Sequence, residues 1–142
     1  MWQMYYYGNA GSWNSGIKSF LPTGWIGLAE STDGIQWTKV VGSSTNGCVF
    51  APSDVEDDWD SVQVGLGDII RISKTELHMY YFGASTEFAP IGPGGGVQGF
   101  RMRIGRATSL DNGRSWERIG MALDYDEQEV GYSIEVQCTI SS

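Results

Sequence analysis

A chain of 142 residues ordinarily forms one domain, and 41% hydrophobic with 13% aromatic residues is enough for a packed core, which excludes a disordered tail. The formal charge of −8 argues against a nucleic-acid partner: coating a phosphate backbone takes clustered Lys and Arg, and Arg101, Arg103, Arg106, Arg114 and Arg118 are the only basic concentration. There is no basic-then-apolar leader and no apolar run near about twenty residues, so neither a signal peptide nor a membrane partner is expected, and the compartment stays open.

Twenty glycines against four prolines suit tight turns, and no stretch shows a helical apolar period, so an all-β chain with almost no helix is expected. In chain order, the aromatic strand Met4-Tyr5-Tyr6-Tyr7-Gly8 comes first, then a loop from Asn9 to Gly24 and the strand Ile26-Gly27-Leu28-Ala29-Glu30-Ser31. The turn Ser31-Thr32-Asp33-Gly34-Ile35-Gln36-Trp37 leads to a short outer strand. After an acidic approach through Asp58-Trp59-Asp60, a nearly continuous apolar strand is predicted from Val62 to Ser73, carried by Val64, Leu66, Ile69, Ile70 and Ile72. Glu76 to Ala84 is a second strand, apolar on both faces. A loop from Ser85 to Phe100 precedes an alternating strand from Arg101 to Ser109, the turn Ser109 to Trp116 and a short strand from Trp116 to Ile119. Asp124-Tyr125-Asp126 then opens a last approach and strand running to about Ile140.

The same passage therefore occurs twice. Met4 to Gly8 returns as Met79-Tyr80-Tyr81-Phe82-Gly83, Ile26 to Ser31 as Ile104-Gly105-Arg106-Ala107-Thr108-Ser109, and Asp58-Trp59-Asp60 as Asp124-Tyr125-Asp126, a period of about 65 to 80 residues. Units of several short strands at this period are expected to be β-propeller blades. Lettering the strands of a blade a to d, the chain reads b-c-d, a-b-c-d, a: a partial blade over 1–42, a complete one over 60–120, and the first strand of another over 124–142. Unpaired edges in such an arrangement predict self-association or missing blades of the same propeller.

The Met-Tyr-Tyr-aromatic-Gly strand at 79–83, the Ile-Gly-x-Ala-x-Ser strand, the Ser-x-Asp-Gly-x-x-Trp turn at 31–37 and an acid ahead of each a strand resemble the five-bladed propellers of the arabinanase, levansucrase and invertase type, glycoside hydrolase families 43 and 32. The turn at 109–116 also resembles the Asp-box of sialidase-type propellers, where it is a structural turn, so Asp33 and Asp111 read as turn formers. The resemblance implies glycosidic hydrolysis of oligo- or polysaccharide by two carboxyls, one protonating the leaving oxygen and one attacking or activating water.

Asp60, Asp68 and Glu135 are the candidate catalytic acids. Asp68 lies among apolar residues, where a carboxylate needs a partner or a function, although Ile69 stands where family 43 members carry proline. Accepting backbone hydrogen bonds is the alternative for Asp68, and a solvated loop end is the alternative for Asp60 and Asp126. Trp59, Tyr125 and Asp126 are candidate carbohydrate-binding residues, since aromatic faces stack on sugar rings while acids take their hydroxyls; packing between blades is the plainer reading of both aromatics. Trp13 and Phe88, in the long loops, are candidates for a rim. His78 has no Ser or Cys beside it in sequence, and Cys48 and Cys138 lack zinc spacing, so no metal and no cofactor are expected. The functional alternatives are a non-catalytic glycan-binding propeller formed by self-association and an inactive fragment.

Overall fold

A computed structural model describes residues 1–9, 11, 13, 22–90, 93–126 and 128. The chain is all-β and antiparallel, and the only helical turn among the described residues is a 3-10 turn at Thr45–Gly47. Strands β1 (Trp2–Asn9), β2 (Gly24–Ser31) and β3 (Thr38–Val40) form a three-stranded sheet in chain order. After them come β4 (Gln63–Arg71), β5 (Leu77–Ala84), the small hairpin strands β6 (Ala89–Pro90) and β7 (Gly96–Val97), β8 (Met102–Ser109) and β9 (Glu117–Leu123). The second large sheet has the order β4-β5-β8-β9, with β6 and β7 paired only to each other inside the connection between β5 and β8.

The repeat in the sequence is a repeat in register. Tyr6 lies opposite Gly27 as Tyr81 lies opposite Gly105, and Lys39 lies opposite Ala29 as Arg118 lies opposite Ala107. The expected strand order a-b-c-d is the order found in the four-stranded sheet, and the three-stranded sheet corresponds to b-c-d. Boundaries differ in detail. β4 stops at Arg71 and Ile72 is exposed, because the chain turns there: the Ile72 and Ser73 amides both donate to the Glu76 carbonyl. The last strand extends past Ile119 to Leu123, where β8 still offers partners. The strand expected after 124 lies outside the described residues, as does Cys138.

Side chains opposite one another share a face of a sheet, and successive residues alternate. Each sheet thus has a front, carrying Tyr6 and Lys39 or Tyr81 and Arg118, and a back, carrying Tyr5 and Leu28 or Tyr80 and Arg106. The front of the four-stranded sheet packs on the back of the three-stranded one: Met79, Tyr81, Ala107 and Val64 meet Ile26, Leu28, Phe50 and Tyr5 in one cluster. Full burial of side chains such as Ile26, Leu28 and Met79, each 0% exposed, is worth about 1.5–3 kcal/mol apiece. The two backs differ accordingly. Leu28, buried between the sheets, has Arg106 as its counterpart on the back that faces outward.

Beyond β3 the chain makes an excursion closed by the Gly42 amide on the Gly47 carbonyl, then returns to the edge of β2, where Ile26 donates to Phe50 O at 2.9 Å. Phe50 is carried by this return onto Tyr81, ring centroids 4.7 Å apart in an edge-on contact. The tight turns gather at one end of the sheets. Asp33 Oδ1 accepts the Ile35 and Gln36 amides, each at 2.8 Å, and Asp111 Oδ1 accepts those of Arg114 and Ser115, each at 3.0 Å, so both acids are turn formers. Arg114 bridges to Glu30 of the other sheet at 2.9 Å. The long connections, 10–23, 41–62, 85–101 and the residues after 123, leave from the opposite end.

Candidate functional site at the loop end

Asp60 sits three residues before β4, and the chain there is held by the Val62 amide on the Ala84 carbonyl at 2.9 Å. This places its carboxylate over the front of the four-stranded sheet, only 1% exposed. Oδ2 accepts the Tyr81 hydroxyl at 2.8 Å and Nε–H of Arg118 at 2.9 Å. Arg118 also donates to the Ala51 carbonyl and lies 4.3 Å over the Phe50 ring. Burial, and next the adjoining Asp60 carboxylate, push the Tyr81 hydroxyl far above its ordinary pKa, so it remains a hydrogen-bond donor. Trp59 stacks on Tyr81 at 5.5 Å and 25°. Gly105 makes room for it, since a Cβ there would run into the Trp59 and Tyr81 rings. Trp59 and Asp60 therefore form one packed unit with Tyr81, Arg118 and Phe50.

Asp68 is not part of that unit. Beyond a bulge in β4 it lies opposite Tyr80, on the back of the sheet whose front carries Tyr81. It is half-buried, and its Oδ1 accepts the amide of Ile69 at 2.8 Å. Asp60 and Asp68, two of the three candidate catalytic acids, are thus on opposite faces of one sheet. Glu135 lies outside the described residues.

Tyr125 takes part in a second polar cluster, built from the starts of β8 and of the loop after β5. Glu87 receives Arg101 on Oε1 and Arg103 on Oε2, each at 2.6 Å, and Arg103 Nε–H reaches Asp124 at 2.7 Å. The Tyr125 ring covers both guanidiniums at 4.8 Å, and its hydroxyl bonds Arg101 and, at 3.3 Å, Glu87. Burial alone would raise the Glu87 pKa, but the hydrogen bonds from Arg103 and Arg101 outweigh it and hold the carboxyl below its ordinary range. Phe88, beside Glu87 in sequence, is 55% exposed, as is Trp13 at 54%. Asp126 is exposed and its Oδ1 accepts the Gln128 amide at 2.9 Å.

Two further features lie on the outward faces. On the back of the four-stranded sheet His78 bridges Glu76 at 2.9 Å and Arg106 at 3.2 Å. On the front of the three-stranded sheet a cavity of about 230 Å³ is lined by Tyr6, Gly8, Trp25, Gly27, Lys39 and Cys48, among others. Among the described residues no group of three or more His, Cys, Asp or Glu is arranged to hold a metal ion.

Glu87, Arg103, Tyr81 and Arg118 were not legible as site residues. A signal did exist in the repeat, where Arg103 replaces Trp25 and Arg118 replaces Lys39, placing two guanidiniums beside the acids of the second unit. Comparison of the chain with family models, with curated proteins and with solved structures found no match in any of the three.

Proposed function

We propose that this chain is a β-propeller segment of the glycoside hydrolase-like kind that binds oligo- or polysaccharide at its loop end without cleaving it alone. The observation that carries this reading is the Glu87 cluster: a half-buried carboxylate held ready by two arginines, walled by Tyr125 and flanked by exposed Phe88. Oriented acids that take hydroxyl donors, next to aromatic faces that take C–H faces, suit a sugar ring. The stacked, register-matched sheets support the propeller reading. Against hydrolysis by this chain alone stand the Asp60 carboxylate, engaged by Arg118 and Tyr81, and Asp68 on the other face. Where a ring of more sheets cleaves glycosidic bonds, it draws a second carboxyl from another sheet.

The test is titration with arabino- and fructo-oligosaccharides, read by amide chemical shifts and by release of reducing ends. Saturable binding without hydrolysis is expected. Glu87→Gln or Phe88→Ala should weaken it about tenfold, the worth of roughly one charge-assisted hydrogen bond or one ring contact, whereas Asp68→Asn should leave it unchanged. Binding indifferent to Glu87 and Phe88, or none across the panel, would refute the proposal.

A further inference from the structure

The front of the four-stranded sheet shows what the front of the three-stranded sheet is built to receive. On the former, Trp59 and Asp60 arrive ahead of β4 and settle on four residues: Tyr81, which gives its hydroxyl to Asp60, Arg118, which pairs with it, and Gly83 and Gly105, whose missing side chains leave the space. A Cβ on Gly83 would overlap Asp60, and one on Gly105 would overlap Trp59. On the latter, the same four stations carry Tyr6, Lys39, Gly8 and Gly27 in matching register, and together they line the cavity of about 230 Å³. Lys39 extends over the Tyr6 ring at 5.6 Å, so a phenol donor and a cation stand together at one mouth. A seat of this composition takes an aromatic residue followed by a carboxylate.

The sequence holds one more such pair in the matching place, Tyr125-Asp126, the counterpart of Trp59-Asp60. In the single chain Tyr125 is tied to Arg101, Arg103 and Glu87 at the end of the four-stranded sheet, contacts that docking on another copy would exchange for new ones, while the cavity opens on the far side of the three-stranded sheet. We infer that the cavity bounded by Tyr6 and Lys39 is the docking site for the Tyr125-Asp126 segment of a second copy of this chain, with the Asp126 carboxylate accepting from the Tyr6 hydroxyl and from Lys39. The charge signs agree, and Asp126 and Lys39 are both exposed in the single chain. The same docking sets the outward back of one copy, with Tyr80, Phe82 and Arg106, against the exposed Trp2 and Met4 of the next. Arg106 in place of a buried leucine makes that contact more polar than the one inside the chain. This inference stands on the internal repeat and not on carbohydrate binding.

The experiment is light scattering or sedimentation across a concentration series, without sugar, on the full chain. The wild type should gain mass as concentration rises, to at least a doubling. Asp126→Lys and Lys39→Glu should each hold the protein at monomer mass with an unchanged thermal melt, since both positions are exposed. An equimolar mixture of the two single variants should regain association, because a junction between unlike chains sets opposite charges at positions 39 and 126, whereas a junction between like chains sets like charges there. The doubly reversed chain, carrying both substitutions, should recover the concentration dependence by the same rule. A wild type that stays monomeric throughout, or an Asp126→Lys chain that associates as the wild type does, would overturn the inference.

Discussion

Arg118 donates through Nε to Oδ2 of Asp60 at 2.9 Å, across 58 residues of chain, and the same oxygen takes the Tyr81 hydroxyl. Asp60 is buried while the Arg118 side chain is 33% exposed, so the two partners are not equivalent. Deleting Arg118 leaves a buried carboxylate with only the Tyr81 hydroxyl, whereas deleting Asp60 leaves a tyrosine hydroxyl without its acceptor and a guanidinium that is already part-exposed to water. Arg118→Ala is expected to cost about 3 kcal/mol and Asp60→Ala about 1–2 kcal/mol in urea unfolding. Equal costs, or no cost from Arg118→Ala, would show that the pair does not hold the connection to the sheet.

The two turn glycines offer a controlled comparison. Gly34 and Gly113 occupy the same turn position, both at positive φ (74° and 85°), and each donates its amide to the serine that opens the turn, at 2.8 Å. Only Gly113 faces a neighbour that cannot give way, the Tyr5 hydroxyl, which is buried with no hydrogen-bond partner among the described residues. Gly34→Ala should cost about 1 kcal/mol from backbone strain, and Gly113→Ala about 2–4 kcal/mol because overlap is added. Adding Tyr5→Phe to Gly113→Ala should recover most of the difference, as measured by chemical denaturation.

Acid should weaken the fold through named groups. Hydrogen bonds from the Gln36 and Ile35 amides hold Asp33 below its ordinary pKa, and those from Ser115 do so at Asp111 against its burial, as the arginines do at Glu87. A carboxyl held low in the fold contributes stability above its unfolded value of about 4 and loses it as pH falls through the lower folded value. The melting temperature should therefore be level from about pH 7 to about pH 5 and fall towards about pH 3. In Glu87→Gln the fall should be shallower, and an unchanged pH profile would count against the arginine clamp.

Leu28 and Arg106 exchange places in the repeat, one between the sheets and one on the outward back. Leu28→Arg puts an unpaired charge in the core and should abolish cooperative unfolding, at about 3–5 kcal/mol. Arg106→Leu removes a guanidinium whose Nε is buried without a partner among the described residues, and it should fold normally while associating more strongly. Circular dichroism melts with scattering at matched concentration check both outcomes.

The strand order is legible in the sequence because the aromatic strand ending in glycine and the Ser-to-Trp turns occur twice in one order. Alternation located Tyr81 and Arg118 on strands, but nothing local announced that their tips converge on Asp60, a contact made by three separate segments. Asp68 shows the same limit, in its placement. Its apolar neighbours suggested burial, yet the bulge between Leu66 and Asp68 turns it to the outward back beside Tyr80. Glu87 sat in a loop without periodicity, so its two arginines came to light only through the fold.

The front of one sheet rests on the back of the other, and no twofold axis relates them. Such a contact has direction, like the thread of a screw. Each sheet added on that rule presents the same front again, so recognition never says when to stop. The number of sheets in a finished assembly is then decided by the rotation from one sheet to the next, which either returns to the start and closes a ring or drifts past it into a filament.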